Sequence, residues 1–144
     1  MIKKAGIEDS KTVAELAVQL WPGHEINDLE KEMINYIDSE NGVVFIYFNE
    51  NIGAGFAQCS LRNDYVEGTK SSPVGYSEGI YVEAEHRKRG IGKKLLIQCE
   101  EWAESKGCKE FASDCELNNT ESLKFHLKIG FEEANRIICF KKNL

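Results

Sequence analysis

Glu78-Gly79-Ile80-Tyr81-Val82-Glu83-Ala84-Glu85-His86-Arg87-Lys88-Arg89-Gly90-Ile91-Gly92-Lys93-Lys94-Leu95-Leu96 is the stretch on which the fold turns. Its first part closes a run, Val74 to Val82, that reads as a β-strand ending at Glu83. Its last part opens a helix, because Leu95, Leu96, Cys99, Trp102 and Ala103 recur at helical spacing up to Lys106 and Gly107. Between them lies a basic glycine turn, Arg87 to Gly92. Glycines permit close approach there, and the start of a helix offers unpaired backbone N–H groups to an anion such as a pyrophosphate. Leu95 stands where a dinucleotide fingerprint has its third glycine, and the Gly-Lys-Ser/Thr ending of a triphosphate loop is absent. A basic glycine turn can also simply start a solvated helix, so its meaning rests on what surrounds it.

Upstream, Ile2 to Ala5 reads as a short strand. Val13, Leu16, Ala17 and Leu20 give a helix behind the acidic Glu8 and Asp9, ended by Pro22 and Gly23. Leu29, Met33, Ile34 and Ile37 give a second helix that stops near Asn41 and Gly42. Val43 to Phe48 and Ile52 to Leu61 form a hairpin about Asn49, Glu50 and Asn51, and Arg62 to Pro73 is a loop. Downstream, Cys108 to Ser113 is a strand. Asn118 or Asn119 caps a short helix ending near Gly130, and Phe131 to Lys141 is a final strand pattern. With no repeat or linker, residues 1–144 are expected to form one domain of α/β (α+β) class, a mixed sheet with helices packed on it.

Composition narrows the chemistry. The 144 residues are 42% hydrophobic and 29% charged, and no apolar run approaches the roughly 20 residues of a membrane helix. Met1 to Asp9 lacks the zones of a secretory signal, so a cytoplasmic location is expected. Five cysteines without a Cys-x-x-Cys pair suit buried reduced thiols better than disulfides or zinc, and no metal is expected. A net charge of −6 argues against a nucleic-acid groove and leaves room for a cationic substrate, although acidity also serves solubility.

Arg87-x-x-Gly90-x-Gly92 resembles the R/Q-x-x-G-x-G/A loop of the GNAT superfamily of N-acetyltransferases. Glu78 to Val82 looks like the strand before that loop, and Asn119 followed by His126-x-x-x-Gly130-Phe131 looks like the region after it. The resemblance implies a mostly antiparallel twisted sheet, splayed where acetyl-coenzyme A binds. It implies that Arg87, Lys88, Arg89, Gly90, Ile91, Gly92 and Lys93 hold the pyrophosphate, with Asn119 also on the cofactor side. The backbone of Ile80, Tyr81 and Val82 would pair with the pantetheine arm, and a main-chain N–H near Val82 would stabilise the oxyanion formed when an amine attacks the thioester. The family often has a tyrosine where this chain has His126, which could act as general acid, as base, or as a packing residue on the helix face.

A narrower resemblance spans almost the whole chain. Leu20-Trp21-Pro22-Gly23-His24, Arg62-x-Asp64-Tyr65-Val66-x-Gly68, Ser71-Ser72-Pro73-Val74, Gly107-Cys108, Ala112-Ser113-Asp114 and Gly130-Phe131-Glu132-Glu133 look like one subgroup of aminoglycoside 6'-N-acetyltransferases. This implies an acceptor pocket using Trp21, His24, Tyr65, Glu78 and Asp114, direct transfer without a covalent enzyme intermediate, and a homodimer with possible exchange of carboxyl-terminal strands. Carboxylates and rings suit a polyamine sugar, and Glu78 and Asp114 are placed to orient the amine or take its proton. Each of these residues also has an ordinary structural use, as core plug, loop residue or capping acid. The subgroup commonly has an acid where this chain has Asn135. Two other readings remain: transfer to another small amine such as a polyamine or peptide, and a non-catalytic acyl-coenzyme A sensor.

Overall fold

The computed structural model describes residues 1–144. Its sheet has five strands in the order β1 (Ile2–Lys4), β2 (Gly42–Asn49), β3 (Ile52–Arg62), β4 (Val74–Val82) and β5 (Phe111–Ala112). The first three pairings are antiparallel and β4 with β5 is parallel. Four helices accompany them: α1 (Ser10–Leu20), α2 (Ile26–Ile37), α3 (Ile91–Ser105) and α4 (Thr120–Lys128). This is the mixed, mostly antiparallel sheet with packed helices that the sequence implies. No helix is long and apolar enough to cross a membrane.

Helix α1 buries Val13, Ala14, Leu16 and Ala17, and α2 buries Leu29 and Met33. These spacings of one, three and four residues line one helical face. Both faces close on Val44, Ile46 and Phe56 of the central hairpin. Fully burying a ring such as Phe56 contributes about 2–3 kcal/mol. On the other side, Ile91, Leu95 and Cys99 of α3 pack with Val43, Phe45, Ala57 and Cys59. The hairpin turn carries positive φ at Glu50 (52°) and Asn51 (79°), the geometry whose twist suits two antiparallel strands.

Two sequence readings are revised. The strand over Cys108 to Ser113 shrinks to Phe111 and Ala112, because β5 pairs only with Gly75 and Tyr76 before β4 diverges from it. The final strand over Phe131 to Lys141 does not form: residues 131–144 have no regular secondary structure. Ile137, Ile138 and Phe140 are 68%, 80% and 90% exposed. A strand needs a pairing edge, and this segment finds none within its own chain. Instead, Asn135 Nδ2 donates to Glu67 Oε1 at 2.8 Å, tying the tail over the Arg62 to Pro73 loop. An acid at position 135 would repel Glu67, so asparagine suits this contact.

Candidate active site

The early end of β5 opens the sheet. From Ser77 to Val82, β4 bonds to β3 on one side and has no strand on the other, leaving the outward backbone groups of Ile80 and the Val82 N–H for an extended ligand. The strand leads into the basic turn. Lys88 (φ 62°) and Gly90 (φ 76°) take the left-handed conformation, and α3 starts at Ile91. The first intrahelical bond there runs from Lys94 N–H to the Gly90 carbonyl at 3.0 Å. The amides of Ile91, Gly92 and Lys93 therefore face outward without a helical acceptor, at the positive end of the helix dipole.

Arg87 turns back across the opening. Its Nε donates to the Val82 carbonyl at 2.7 Å and its guanidinium lies 5.5 Å from the Tyr81 ring centroid. Lys88, Arg89 and Lys93 are exposed around it. A Cβ at Gly92 would come within 3.3 Å of Phe125 of α4, so this glycine lets α4 approach the start of α3. Asn119 caps α4, accepting from Ser122 N–H through Oδ1 at 3.1 Å, and so fixes the second helix beside the opening.

The opposite wall is built around a β-bulge. Gln58 pairs with Gly79 and Cys59 with Ser77, so Glu78 is the extra, unpaired residue of β4. Bulges re-aim side chains, and this one sends Glu78 towards the end of β3. Glu78 Oε1 accepts from Ser60 Oγ at 2.7 Å, Arg62 Nε at 3.1 Å and Arg62 Nη2 at 2.9 Å, and Oε2 accepts from Arg62 Nη2 at 3.0 Å. Burial works against the Arg62 charge, but the Glu78 bonds and charge outweigh it and raise its pKa. Trp21 covers Gly79, where a Cβ would meet the indole at 2.7 Å, and packs edge-on to Phe56 at 6.2 Å. His24 is exposed in the turn between α1 and α2.

Arg62 continues the chain of contacts. Its guanidinium carbon lies 3.5 Å from the Tyr76 ring centroid, and the Tyr76 hydroxyl donates to Asp114 Oδ2. Burial, and then the Asp114 carboxylate, push the Tyr76 phenol above its ordinary range, so it remains a proton donor. In register, Tyr76 faces Ala112, two residues before Asp114. His126 braces the same corner: Nδ1 lies 2.7 Å from the Ser122 carbonyl and Nε2 lies 2.8 Å from Ser113 Oγ. A carbonyl only accepts, so Nδ1 carries the proton, and in the neutral ring Nε2 accepts from Ser113.

A cleft of ≈ 980 Å³ brings Tyr65, Asp114 and His126 together with Arg62, Tyr76 and the tail residues Glu133 and Asn135. Of the other sequence candidates, Glu78 lies behind Arg62, and Trp21 packs beside Glu78 over Gly79. Reading the sequence alone passes over Ser60, Arg62, Tyr76 and Ser113 as individual site residues. Arg62 and Ser113 stand inside the quoted motifs, whereas Ser60 and Tyr76 offer only strand periodicity.

Residues 11–131 match the acetyltransferase (GNAT) family model. An aminoglycoside N(6')-acetyltransferase type 1 of Salmonella typhimurium is 40% identical over 127 residues, 88% of this chain and 88% of that protein. Another, from Stenotrophomonas maltophilia, is 36% identical over 143 residues, 99% of this chain and 93% of that protein. Among solved structures, AAC(6')-Iy in complex with the bisubstrate analogue CoA-S-monomethyl-acetylneamine superposes with TM-score 0.95 at 36% identity, covering 100% of this chain and 98% of that one. AAC(6')-Ih from Acinetobacter baumannii gives TM-score 0.93 at 36% identity, with 100% and 98% coverage.

Proposed function

The chain belongs to the acetyltransferase (GNAT) family, and from that premise we propose that it is an aminoglycoside 6'-N-acetyltransferase. It moves acetyl from acetyl-coenzyme A directly to the 6'-amine of an aminoglycoside antibiotic, a reaction that confers resistance. One observation carries this reading: an open strand edge with a basic helix start leads to a cleft walled by carboxylates and aromatic rings. A neighbour of the same fold, at 36% identity, holds a ligand that joins coenzyme A to an acetylneamine.

Residues 1–144 act in this reading as one acetyltransferase domain. The outward amides of Ile91, Gly92 and Lys93, with Arg87, Lys88 and Arg89, would hold the pyrophosphate, and the free edge at Ile80 to Val82 would hold the pantetheine arm. Acetyl-coenzyme A supplies the acetyl group as a thioester. The acceptor amine must lose a proton as its lone pair forms the new C–N bond and the C–S bond breaks. Asp114 takes that proton, directly or through one water. Tyr76 fixes one oxygen of Asp114 and leaves the other for the amine. His126 lies 2.8 Å from Ser113 Oγ through Nε2, and only as the doubly protonated imidazolium would it hold an Nε2 proton that Ser113 could pass to the departing thiolate. Tyr65 walls the acceptor cleft, Glu78 backs it through Arg62, and Trp21 and His24 would meet the acceptor only beyond that cleft.

A homodimer completes the reading. The exposed Ile137, Ile138 and Phe140 form a β-branched and aromatic strip with no partner in their own chain, which suits pairing with a second copy. A cytoplasmic location fits too, since Cys59, Cys99 and Cys108 are buried free thiols and acetyl-coenzyme A is an intracellular metabolite. Mass spectrometry and NMR of the product from tobramycin test the regiochemistry: one acetyl on the 6'-nitrogen supports the assignment, and acetylation elsewhere overturns it.

A further inference from the structure

We infer that Arg62 is a specificity-determining residue that occupies Glu78 and thereby limits how strongly the cleft holds polycationic acceptors. This rests on the acceptor reading above. Glu78 makes four hydrogen-bond contacts, three of them with Arg62, and Arg62 lies between it and the cleft. The guanidinium is also stacked on Tyr76, whose hydroxyl reaches Asp114. One cation is thus paired with Glu78 and linked to Asp114 through the Tyr76 ring.

An ammonium entering the cleft meets Asp114 as a carboxylate with one oxygen unengaged but meets Glu78 only through a like charge. Bidentate pairing and ring stacking hold the guanidinium in a way that a flexible lysine would not reproduce. The side chains of Arg62 and Glu78 are 42% and 27% exposed, so the pair sits at the cleft surface where an acceptor competes for it. With Arg62 removed, Glu78 becomes available and the local charge of the three groups goes from −1 to −2. The arrangement trades affinity for selectivity: acceptor groups against Arg62 are favoured as hydroxyls and disfavoured as ammonium groups.

Steady-state kinetics with tobramycin decide the matter. Arg62→Gln is expected to lower the tobramycin KM about 3- to 10-fold, the range that one partly exposed ion pair supports, with coenzyme A affinity retained. Arg62→Lys, which keeps the charge, is expected to fall between the two and carries the test if Arg62→Gln does not fold. The gain must vanish in Arg62→Gln/Glu78→Gln. A KM that is unchanged or raised in the foldable variant, as when Arg62 merely props Glu78, overturns the inference. A gain that survives removal of the Glu78 charge overturns it too. Absence of turnover by the wild-type protein with every aminoglycoside would instead strike the function assigned above, so the two failures are distinguishable.

Discussion

The Tyr76 hydroxyl donates a hydrogen bond to the Asp114 carboxylate across the seam where β4 and β5 part. The short parallel pairing of Tyr76 with Ala112 sets this contact, so the strand whose edge is left open also aims the Asp114 carboxylate. Sheet splay and the placement of the Asp114 carboxylate are one feature of this fold.

Removing the carboxylate separates binding from chemistry. Asp114→Ala is expected to lower kcat about 10²- to 10³-fold, in the range of a lost general base, while coenzyme A binds as before. Stopped assays with saturating tobramycin, alongside calorimetric titration of coenzyme A, check both halves. An unchanged rate would remove Asp114 from the mechanism.

Tyr76→Phe deletes the donor but keeps the ring under Arg62. Loss of this bond to a charged acceptor is expected to cost about 1–2 kcal/mol of stability and to lower kcat/KM for the drug. The phenol's folded pKa lies above its ordinary value of about 10, so its contribution to stability is full below about pH 10 and is lost as pH rises from there towards the folded value. Urea midpoints measured from about pH 8 to about pH 11.5 should therefore fall more steeply for the wild type than for Tyr76→Phe. Equal slopes would contradict this.

The turn proposed to bind the pyrophosphate depends on Gly90, whose φ of 76° and open surroundings leave backbone strain as the main consequence of adding a Cβ. Gly90→Ala is expected to cost about 1–2 kcal/mol and to weaken coenzyme A binding, because the start of α3 must shift to relieve the left-handed conformation. Thermal melts and coenzyme A titration read the two effects. Full retention of affinity would mean that the turn is not the anion site.

The exposed tail makes a prediction about assembly. Light scattering at about 50 μM, far above a nanomolar Kd for a stable dimer, should give twice the chain mass for the wild type and one chain mass for Ile138→Asp/Phe140→Asp. A wild-type monomer at that concentration would remove the proposed dimer.

Much of the fold was legible because its signals are local. Val74–Val82 is bounded as the strand reading has it, and α3 follows from Leu95, Leu96, Cys99 and Ala103. The tail shows the limit of such reasoning: Phe131 to Lys141 carries a strand pattern, but pairing is a property of neighbours. The acids and aromatic rings of the proposed acceptor side stand in the sequence, but their connections do not. The bulge at Glu78 arises from register, and the Arg62 stack on Tyr76 joins residues on two strands that no spacing rule relates. Asp114, His126 and Tyr65 share one cleft, while Trp21 packs over Gly79 outside its lining.

Free-thiol release from acetyl-coenzyme A reads acetyl transfer to a 6'-amine directly. The panel is aminoglycosides with and without a 6'-amine, together with spermidine and a peptide amine. Saturable turnover confined to the 6'-amino drugs is the predicted result. Turnover with the other amines, or tight coenzyme A binding with no thiol released from any of them, would contradict it.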